Sequence, residues 1–245
     1  MPRSISCRPG LIMFSFKVIT LEEIPLFAGL TEAQIQWLRE RMYPRTFRPG
    51  MLMVTADSPG EQVYFILKGS AKVYISQLDG SDVTVNIMGP GEPVGEISAV
   101  DSAVHSANVI TLEETAVLWI YKDHFNEAIQ TMPVFANNLL KVFSRRLRST
   151  TDQIRTLASL DVIGRMAYRL LDFASRYGQE DAQGRILIPI RLTQNDVAEL
   201  VGASRKRVNQ ATTMLKRQGC LKIDADYHIT IQDRQALAQW CRKLT

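Results

Sequence analysis

The feature that most constrains the fold is a helical stretch in the middle of the chain that nothing interrupts. Pro133 suits the first turn of a helix, and residues 134–159 contain no glycine and no further proline. One row of positions recurs at alternating spacings of four and three residues: Ala136, Leu140, Phe143, Leu147, Thr150, Ile154 and Leu157. This spacing predicts a coiled-coil seam of about three heptads.

We expect this helix to join two copies of the chain. The alternative is a helix that packs only against its own domain. The polar sequence on its other faces, "SRRLRSTTDQ", favours dimerisation, and so does the single polar Thr150 within an apolar seam, because such a residue sets the register of paired helices.

The predicted helix also separates parts of opposite charge. Residues 1–132 are net acidic, whereas residues 133–159 and 160–245 are each net basic, within an overall charge of +4. A chain of 245 residues with 46% hydrophobic residues can form two modest domains. The charge distribution therefore favours a C-terminal part that binds a polyanion, joined to an acidic module.

Residues 47–121 predict short β-strands separated by turns. Apolar and polar residues alternate in "AKVYIS" (71–76) and "DVTVNI" (82–87). Glycines mark the turns, at Gly60, Gly69, Gly80, Gly89, Gly91 and Gly95. We expect a small antiparallel barrel or jelly roll that acts as a sensor or binding domain.

Three further local predictions concern single elements. Thr31 is expected to cap a short helix whose Ile35 and Leu38 point inward. An amphipathic helix after residue 160 is expected to close at Gly178. In the extended "ILIPIRL" that follows, Pro189 limits any strand to a sheet edge.

The segment from residue 193 to 223 predicts a helix-turn-helix. A first helix begins near Thr193, and Ser204 caps the second. Ala198, Gly202 and Val208 supply the small contact residue, the turn glycine and the inward apolar residue that this motif needs. The predicted shared core is Val197, Leu200, Val201, Val208, Ala211 and Leu215. After it, "CLKIDADYHITI" predicts two strands around a turn at 224–226, which form a wing.

The second helix begins with three adjacent cations, Arg205, Lys206 and Arg207. Each one in a first turn costs roughly 0.3–1 kcal/mol, because the helix dipole makes that end positive. DNA offsets this cost, since a recognition helix enters the major groove by its N-terminal residues and Arg, Asn and Gln pair with base edges. The cations therefore predict sequence-specific binding of double-stranded DNA.

The predicted DNA contacts divide into two kinds. We expect Arg205 and Gln210, followed by Lys206, to read bases. Arg207 and the start of the first helix are expected to contact backbone phosphates. The complete predicted set is Thr193, Gln194, Ser204, Arg205, Lys206, Arg207, Asn209 and Gln210, and Thr213 lies on the same face.

Other functional classes find little support in the residues. The apolar run "LIMFSF" is far shorter than the ~20 residues of a bilayer span. Cys7, Cys220 and Cys241 are widely separated, which argues against a disulfide framework or a metal site and fits a reducing cytoplasm. No nucleophile–base pair or phosphate-binding glycine loop is present, so we expect no enzyme activity.

From about Leu26 to the wing, the chain resembles the CRP/FNR family of bacterial transcription regulators. "VYFILKGSAKVYI" is similar to the family's cyclic-nucleotide-binding barrel, "SLDVIGRMAYRLL" to its hinge and first DNA-binding helix, and "VGASRKRVNQ" to its recognition helix. The resemblance implies a homodimer that reads a palindromic site, with recognition helices about 34–36 Å apart. It also implies RNA polymerase as a partner.

The resemblance implies an effector pocket, but one residue departs from it. Members that bind cyclic AMP have a cassette that begins Gly-Glu and ends Arg-Ser-Ala or Arg-Thr-Ala. Here "GEISAVDSAVHSA" places His105 where the phosphate-binding arginine belongs, and a neutral histidine lacks the bidentate fork of a guanidinium. The implied effector-binding set is Gly95, Glu96, Ile97, His105, Ser106, Thr150 and Thr151.

Several alternatives remain open for the pocket. The barrel binds cyclic AMP, binds another small effector or a cyclic dinucleotide, or senses nothing diffusible and docks a protein. Glu96 is also interpretable as a carboxylate that caps a turn, and His105 as a half-exposed loop residue. His124 and His228 are interpreted as structural or exposed. No resident cofactor or metal is indicated.

The sequence thus predicts an α+β protein: an N-terminal cyclic-nucleotide-binding-like β-barrel, a long dimerisation helix and a C-terminal winged helix-turn-helix. The expected boundaries are a tail (1–20), the sensor domain (21–132), the dimerisation helix (133–159) and the DNA-binding domain (160–245). The alternatives are a nucleotide-sensing module that acts through a protein partner, or a non-specific architectural DNA binder.

Overall fold

The computed structural model of the protein describes residues 19–80 and 82–242, with the backbone alone for Arg242. The predicted tail, apart from its last two residues, and Cys7 lie outside the described residues. Ile19 is joined to the barrel, because its N–H donates to the carbonyl of Leu67 at 3.1 Å.

The first half of the chain alternates short helices with eight strands. Its elements are α1 (Glu32–Arg39), β1 (Tyr43–Phe47), β2 (Leu52–Val54), β3 (Gln62–Lys68), β4 (Ala71–Ser76), β5 (Asp82–Met88), β6 (Pro93–Val94), α2 (Glu96–Asp101), β7 (Asn108–Thr111), β8 (Thr115–Tyr121) and α3 (Lys122–Thr131). The strands form two antiparallel sheets, in the orders β1-β8-β3-β6 and β2-β7-β4-β5.

Apolar side chains fill the space between the two sheets, as a jelly roll requires. The buried set is Phe47, Met53, Val54, Tyr64, Ile66, Ala71, Met88, Val94, Val109 and Val117. A second cluster joins the outside of β3 and β8 to α1, α3 and the helix that follows. The predicted barrel is confirmed.

The short helix α1 has the predicted cap. The Thr31 hydroxyl accepts the N–H of Gln34 at 3.3 Å, and the Gln34 side chain accepts the N–H of Thr31 at 2.9 Å. This reciprocal pair satisfies two N–H groups that a helix start leaves open. Ile35 and Leu38 are buried, as predicted.

The second half begins with the long helix and continues into a small α/β domain. Its elements are α4 (Pro133–Ser159), α5 (Val162–Tyr177), β9 (Gln179–Glu180), β10 (Ile186–Ile188), α6 (Gln194–Val201), α7 (Arg205–Arg217), β11 (Leu221–Ile223), β12 (Ile229–Ile231) and α8 (Arg234–Gln239). The four strands form one sheet in the order β11-β12-β10-β9.

The prediction for Pro189 was wrong in one respect. β10 is not an edge strand, since it pairs with β12 on one side and β9 on the other. The strand ends at Ile188, so the proline lies outside the hydrogen-bonded ladder and its missing N–H costs nothing there.

One face of α4 packs on the barrel and the opposite face does not. Phe135, Leu139 and Val142 are buried in the barrel-side cluster. Leu140 and Leu147, on the other face, are 63% and 70% exposed. No helix among the described residues is both long and apolar enough to cross a membrane.

Candidate nucleic-acid interface and effector pocket

The helix-turn-helix is formed by α6 and α7, and its turn has the predicted chemistry. Asp196 accepts the backbone N–H of Thr193 at 2.9 Å, and the Thr193 hydroxyl accepts the N–H of Asp196 at 3.2 Å. This pair fixes the start of α6. Gly202 ends the helix with φ of +60°, a conformation that costs glycine nothing and other residues about 1–2 kcal/mol.

Helix α7 buries one face against α6 and exposes the other. Val208 and Leu215 have no exposed area, and all six residues of the predicted shared core are buried. The Ser204 side chain accepts the N–H of Arg207 at 3.4 Å, so it caps α7 as predicted. The apolar contact between the two helices fixes which side of α7 faces outward.

The outward face presents the residues predicted to contact DNA. Arg205, Lys206 and Arg207 are exposed, and none of them has an ion-pair partner within the described part of the chain. Asn209 and Gln210 are also exposed, one turn further along. Positive charge without an internal partner at a helix start is available to an external anion.

Gln194 connects the two helices at this face. Its side-chain amide donates to the side-chain oxygen of Asn209 at 3.3 Å, so the start of α6 lies beside the first half of α7. Thr193 is half-buried by the contacts that cap α6. The structure therefore places the eight predicted residues at the starts of α6 and α7, which meet at the contact between Gln194 and Asn209.

Sequence reasoning did not single out three further exposed cations of the DNA-binding domain. Lys216 and Arg217 are exposed in the last turn of α7, and Lys222 is exposed on β11. Their spacing in "LKRQGCLK" was a usable signal, because Lys and Arg at the end of a recognition helix commonly contact phosphates.

The wing forms as predicted, but its tip is acidic. The Asp224 carboxylate accepts the N–H groups of Asp226 and His228 at 2.9 and 2.8 Å, which closes the turn. His228 is buried and lies 4.0 Å from the Glu113 carboxylate of the barrel. It is therefore a structural histidine, and His124 is a half-exposed one beside Glu127.

In the barrel, the predicted cassette lines a small pocket. Gly95 has φ of +87°, and a Cβ there would lie 2.8 Å from the carbonyl of Gln62, so the position requires glycine. Ile97, Ser106 and Ala107 also line the pocket. Its volume is about 70 Å³, whereas sites for nucleotide-sized ligands usually enclose about 300–1,000 Å³.

Glu96 is buried and already has a cationic partner. Arg146 reaches from α4 and donates both to the Glu96 carboxylate and, at 2.7 Å, to the carbonyl of Pro93. Burial raises the pKa of Glu96, although the charge of Arg146 opposes the shift. Sequence reasoning missed Arg146, whose only signal is its place on the barrel-facing side of α4, after Leu139 and Val142.

The interpretation of His105 as a half-exposed loop residue was wrong. The side chain is buried, and its Nδ1 lies 2.7 Å from the Ser98 hydroxyl. Its backbone bonds to Ser58 and Asp57 on the neighbouring loop. Because burial lowers the pKa of His105, the ring is neutral and does not replace a guanidinium.

The small pocket is bordered by a much wider cleft between the barrel, α4 and α5. The cleft has a volume of about 590 Å³, and Thr150, Ile97 and Ser106 are among its lining residues. Thr151 is exposed, and its hydroxyl donates to the carbonyl of Leu147 at 2.9 Å. The seven predicted pocket residues are thus divided between the pocket, the cleft and the outer face of α4.

Comparisons with known proteins agree with this architecture. The family model "Cyclic nucleotide-binding domain" matches residues 44–132, and "Crp-like helix-turn-helix domain" matches residues 164–240. The first match covers the barrel and α3, and the second covers the domain that contains the helix-turn-helix and the wing.

Curated relatives and solved structures extend the similarity over most of the chain. A CRP-like cAMP-activated global transcriptional regulator of Mycobacterium tuberculosis is 31% identical over 217 residues, which are 89% of this chain and 96% of that protein. The cyclic AMP receptor protein of Thermus thermophilus is 27% identical over 86% of this chain and 93% of its own length.

The structure of FixK2 from Bradyrhizobium japonicum shares the fold, with a TM-score of 0.70 and 22% identity over 81% of this chain and 96% of that chain. The two domain matches and the mycobacterial relative decide the classification. The chain belongs to the CRP/FNR family and is a CRP-like transcription regulator.

Proposed function

We propose that the protein binds a palindromic double-stranded DNA site as a homodimer, with one α7 in the major groove of each half-site. The observation that carries the proposal is the exposed first half of α7. Three cations without ion-pair partners among the described residues and two amide side chains are exposed there. Major-groove recognition uses these side-chain types at this end of a helix.

Each side chain has a proposed role. Arg205 and Gln210 read base edges, since both are exposed in the first half of α7, and Lys206 assists them. Arg207, with Thr193 and Gln194, binds backbone phosphates. Asn209 is held by Gln194, and this bond orients both side chains before DNA arrives.

The outer face of α4 supports the proposed homodimer. Leu140, Leu147 and Ile154 are 63%, 70% and 65% exposed in a single protomer. A second copy of the helix would cover this row, and the spacing fits knobs-into-holes packing. A signal in the barrel would act by changing how the two α4 helices pack, and so shift the population of recognition-helix orientations.

For the barrel, we propose weak or absent binding of cyclic AMP. The mycobacterial relative is described as cAMP-activated. In this chain the cassette position holds a buried neutral His105, and Arg146 is engaged by Glu96. A cyclic phosphate would find no free guanidinium in the small pocket. The duplex selection with added nucleotides also tests whether another small effector, bound in the wider cleft, controls the protein.

A selection of bound duplexes from a random pool tests the proposal. We expect a two-fold symmetric consensus, with selected sites bound roughly 10³-fold or more tightly than random DNA. Nearly equal affinity for all sequences would identify an architectural binder instead. Weak salt dependence with no duplex preference would indicate a protein partner. Parallel selections with cyclic AMP and a cyclic dinucleotide test effector control.

A further inference from the structure

The DNA-binding domain is attached to its own barrel by a side chain that the sequence did not single out. Glu199 lies on α6 and reaches the barrel strands β4 and β5. Its Oε2 accepts hydrogen bonds from the Lys72 ammonium at 2.8 Å and the Thr84 hydroxyl at 2.8 Å. Its Oε1 accepts from Asn195 at 2.6 Å. Both carboxylate oxygens are therefore engaged.

This contact, named the Glu199 clamp for Lys72, Thr84 and Glu199, is largely removed from water. Thr84 is 2% exposed, and the side chains of Lys72 and Glu199 are 15% and 25% exposed. A part-buried ion pair is costly to break on one side, because the remaining charge stays in a poorly solvated place. Removal of one partner from the clamp should therefore cost more free energy than removal of one partner from an exposed surface pair.

Neighbouring contacts continue the same interface. Arg176 of α5 donates to Glu92 of the barrel at 2.9 Å, and the N–H of Arg191 donates to Glu113 at 3.2 Å. Ile87 of β5 belongs to the apolar core of the DNA-binding domain. The interface is thus packed as well as paired, and the Glu199 clamp adds polar bonds between the barrel and the helix-turn-helix.

The position of the clamp on α6 links it to the recognition helix. Ala198 and Val201 of α6 are buried in the same core as Val208 of α7. Because the two helices move as one packed unit, a bond that fixes α6 on the barrel also fixes α7. The DNA-facing side of α7 stays exposed in this arrangement.

We infer that Glu199 is a positioning residue, which holds α7 on the barrel in the orientation that DNA requires. The inference rests on the proposed binding of paired half-sites. A homodimer must present two recognition helices at a fixed separation, and a domain already held in place loses less conformational freedom when it binds. This smaller loss of conformational freedom favours binding to the palindrome, where both recognition helices must fit at once, and not binding to a single half-site.

The test uses the full-length protein and a duplex that contains the selected palindrome. Glu199→Gln keeps the shape of the side chain and removes its negative charge. Lys72→Met keeps an unbranched apolar side chain and removes the ammonium group. Lys72→Glu combined with Glu199→Lys restores the pair with reversed charges. Glu180→Gln makes the same charge change on the same domain, and Glu180 is exposed and forms no ion pair to the barrel among the described residues.

We expect both single variants to bind the palindrome about fivefold or more weakly than the wild type, and to bind a single half-site almost equally. The charge-reversed double variant recovers most of the loss, and Glu180→Gln resembles the wild type. Rescue by reversed charges shows that the two side chains act as a pair. A merely structural role would weaken half-site and palindrome binding alike, so the half-site comparison separates it from positioning.

Hydrogen–deuterium exchange without DNA gives a second readout. Amides of β5 and α6 exchange faster in Glu199→Gln and recover in the charge-reversed variant. Tighter DNA binding by Glu199→Gln would overturn the inference, since the docked arrangement would then oppose binding. Unchanged exchange and affinity would overturn it as well, and so would an equal loss in Glu180→Gln.

The two proposals fail separately. If the wild type selects no duplex, the proposed function is wrong. The exchange measurement still shows whether Glu199 holds α6 on the barrel. If the wild type selects a palindrome but the clamp variants bind it normally, only the positioning role is wrong.

Discussion

Arg205 lies at the start of the recognition helix with its guanidinium exposed and without an ion-pair partner among the described residues. Because arginine pairs bidentately with guanine, Arg205→Ala should relax specificity at one base pair of each half-site, at a cost of roughly 1–3 kcal/mol per contact. Duplex selection with the variant measures this. Arg217→Ala is the control, because loss of a phosphate contact weakens all sites alike; an unchanged consensus for Arg205→Ala would contradict the assigned role.

His105 stands where the resemblance to cyclic-AMP-binding members implies an arginine. Calorimetry should detect no micromolar binding of cyclic AMP by the wild type. His105→Arg should bind about tenfold or more tightly, since a guanidinium can pair with the cyclic phosphate. His105→Gln, which stays neutral, should bind as weakly as the wild type. Micromolar affinity in the wild type would refute the prediction.

His228 makes stability depend on pH. Burial alone lowers its pKa, but the carboxylates of Glu113 and Asp224 outweigh burial and raise the pKa above 6.5. Lys68 and Arg176 line the same cavity as His228. A raised histidine pKa stabilises the folded state fully below pH 6.5, and this contribution is lost as the pH rises through the folded-state value.

The denaturant midpoint of the wild type should therefore fall as the pH rises above 6.5. His228→Gln should remove that part of the fall and leave the remaining pH dependence unchanged. Parallel curves for the two proteins across this range would show that His228 does not contribute.

At the scale of elements, α4 has two different faces. Its inner side packs on the barrel, and its outer side exposes Leu140, Leu147 and Ile154. Leu147→Glu should convert the dimer to a monomer, because two carboxylates would meet in a dry seam. Palindrome affinity should fall roughly 10²-fold, the order of the avidity that a second site supplies, while half-site binding persists.

Analytical ultracentrifugation measures the oligomeric state in that experiment. Leu147→Met is the matched control, since it keeps an apolar side chain of similar volume and should remain dimeric. A dimeric Leu147→Glu would mean that another surface joins the protomers.

The elements differ in how far the sequence could predict them. Thr193, Gly202 and Ser204 were predictable because caps and turns depend on a few adjacent residues and on backbone chemistry. The bond from Glu199 to Lys72 spans 127 positions of the chain. No local pattern reports such a pair, because it exists only after two domains have docked.

The effector pocket shows the same limit within one domain. The cassette from Gly95 to Ala107 was recognisable by its order of residues. The bond from Arg146 to Glu96 of this cassette was not recognisable, because Arg146 lies on another element, α4. The burial of His105 also depends on a loop, Asp57–Ser58, that lies far from it in sequence.

At the scale of the whole molecule, charge is distributed so that one end attracts DNA. The basic surface comprises the first turn of α7, its last turn and Lys222, whereas the wing tip holds Asp224 and Asp226. The wing tip should therefore stay away from phosphates, and α7 with β11 should supply the electrostatic part of the affinity. That part falls as salt rises, because binding releases counterions from the DNA.

The slope of log affinity against log salt counts these contacts, at about 0.9 per phosphate neutralised on duplex DNA. Arg217→Ala and Lys222→Ala should each reduce the slope by about two, since a dimer loses one contact per protomer, and should leave the consensus unchanged. Arg48→Ala, which removes an exposed cation from the barrel, is the control and should leave the slope intact. Fluorescence anisotropy across a salt series measures all three. If Arg48→Ala changes the slope as much as Arg217→Ala, the DNA also contacts the barrel, and the binding surface extends beyond α7 and β11.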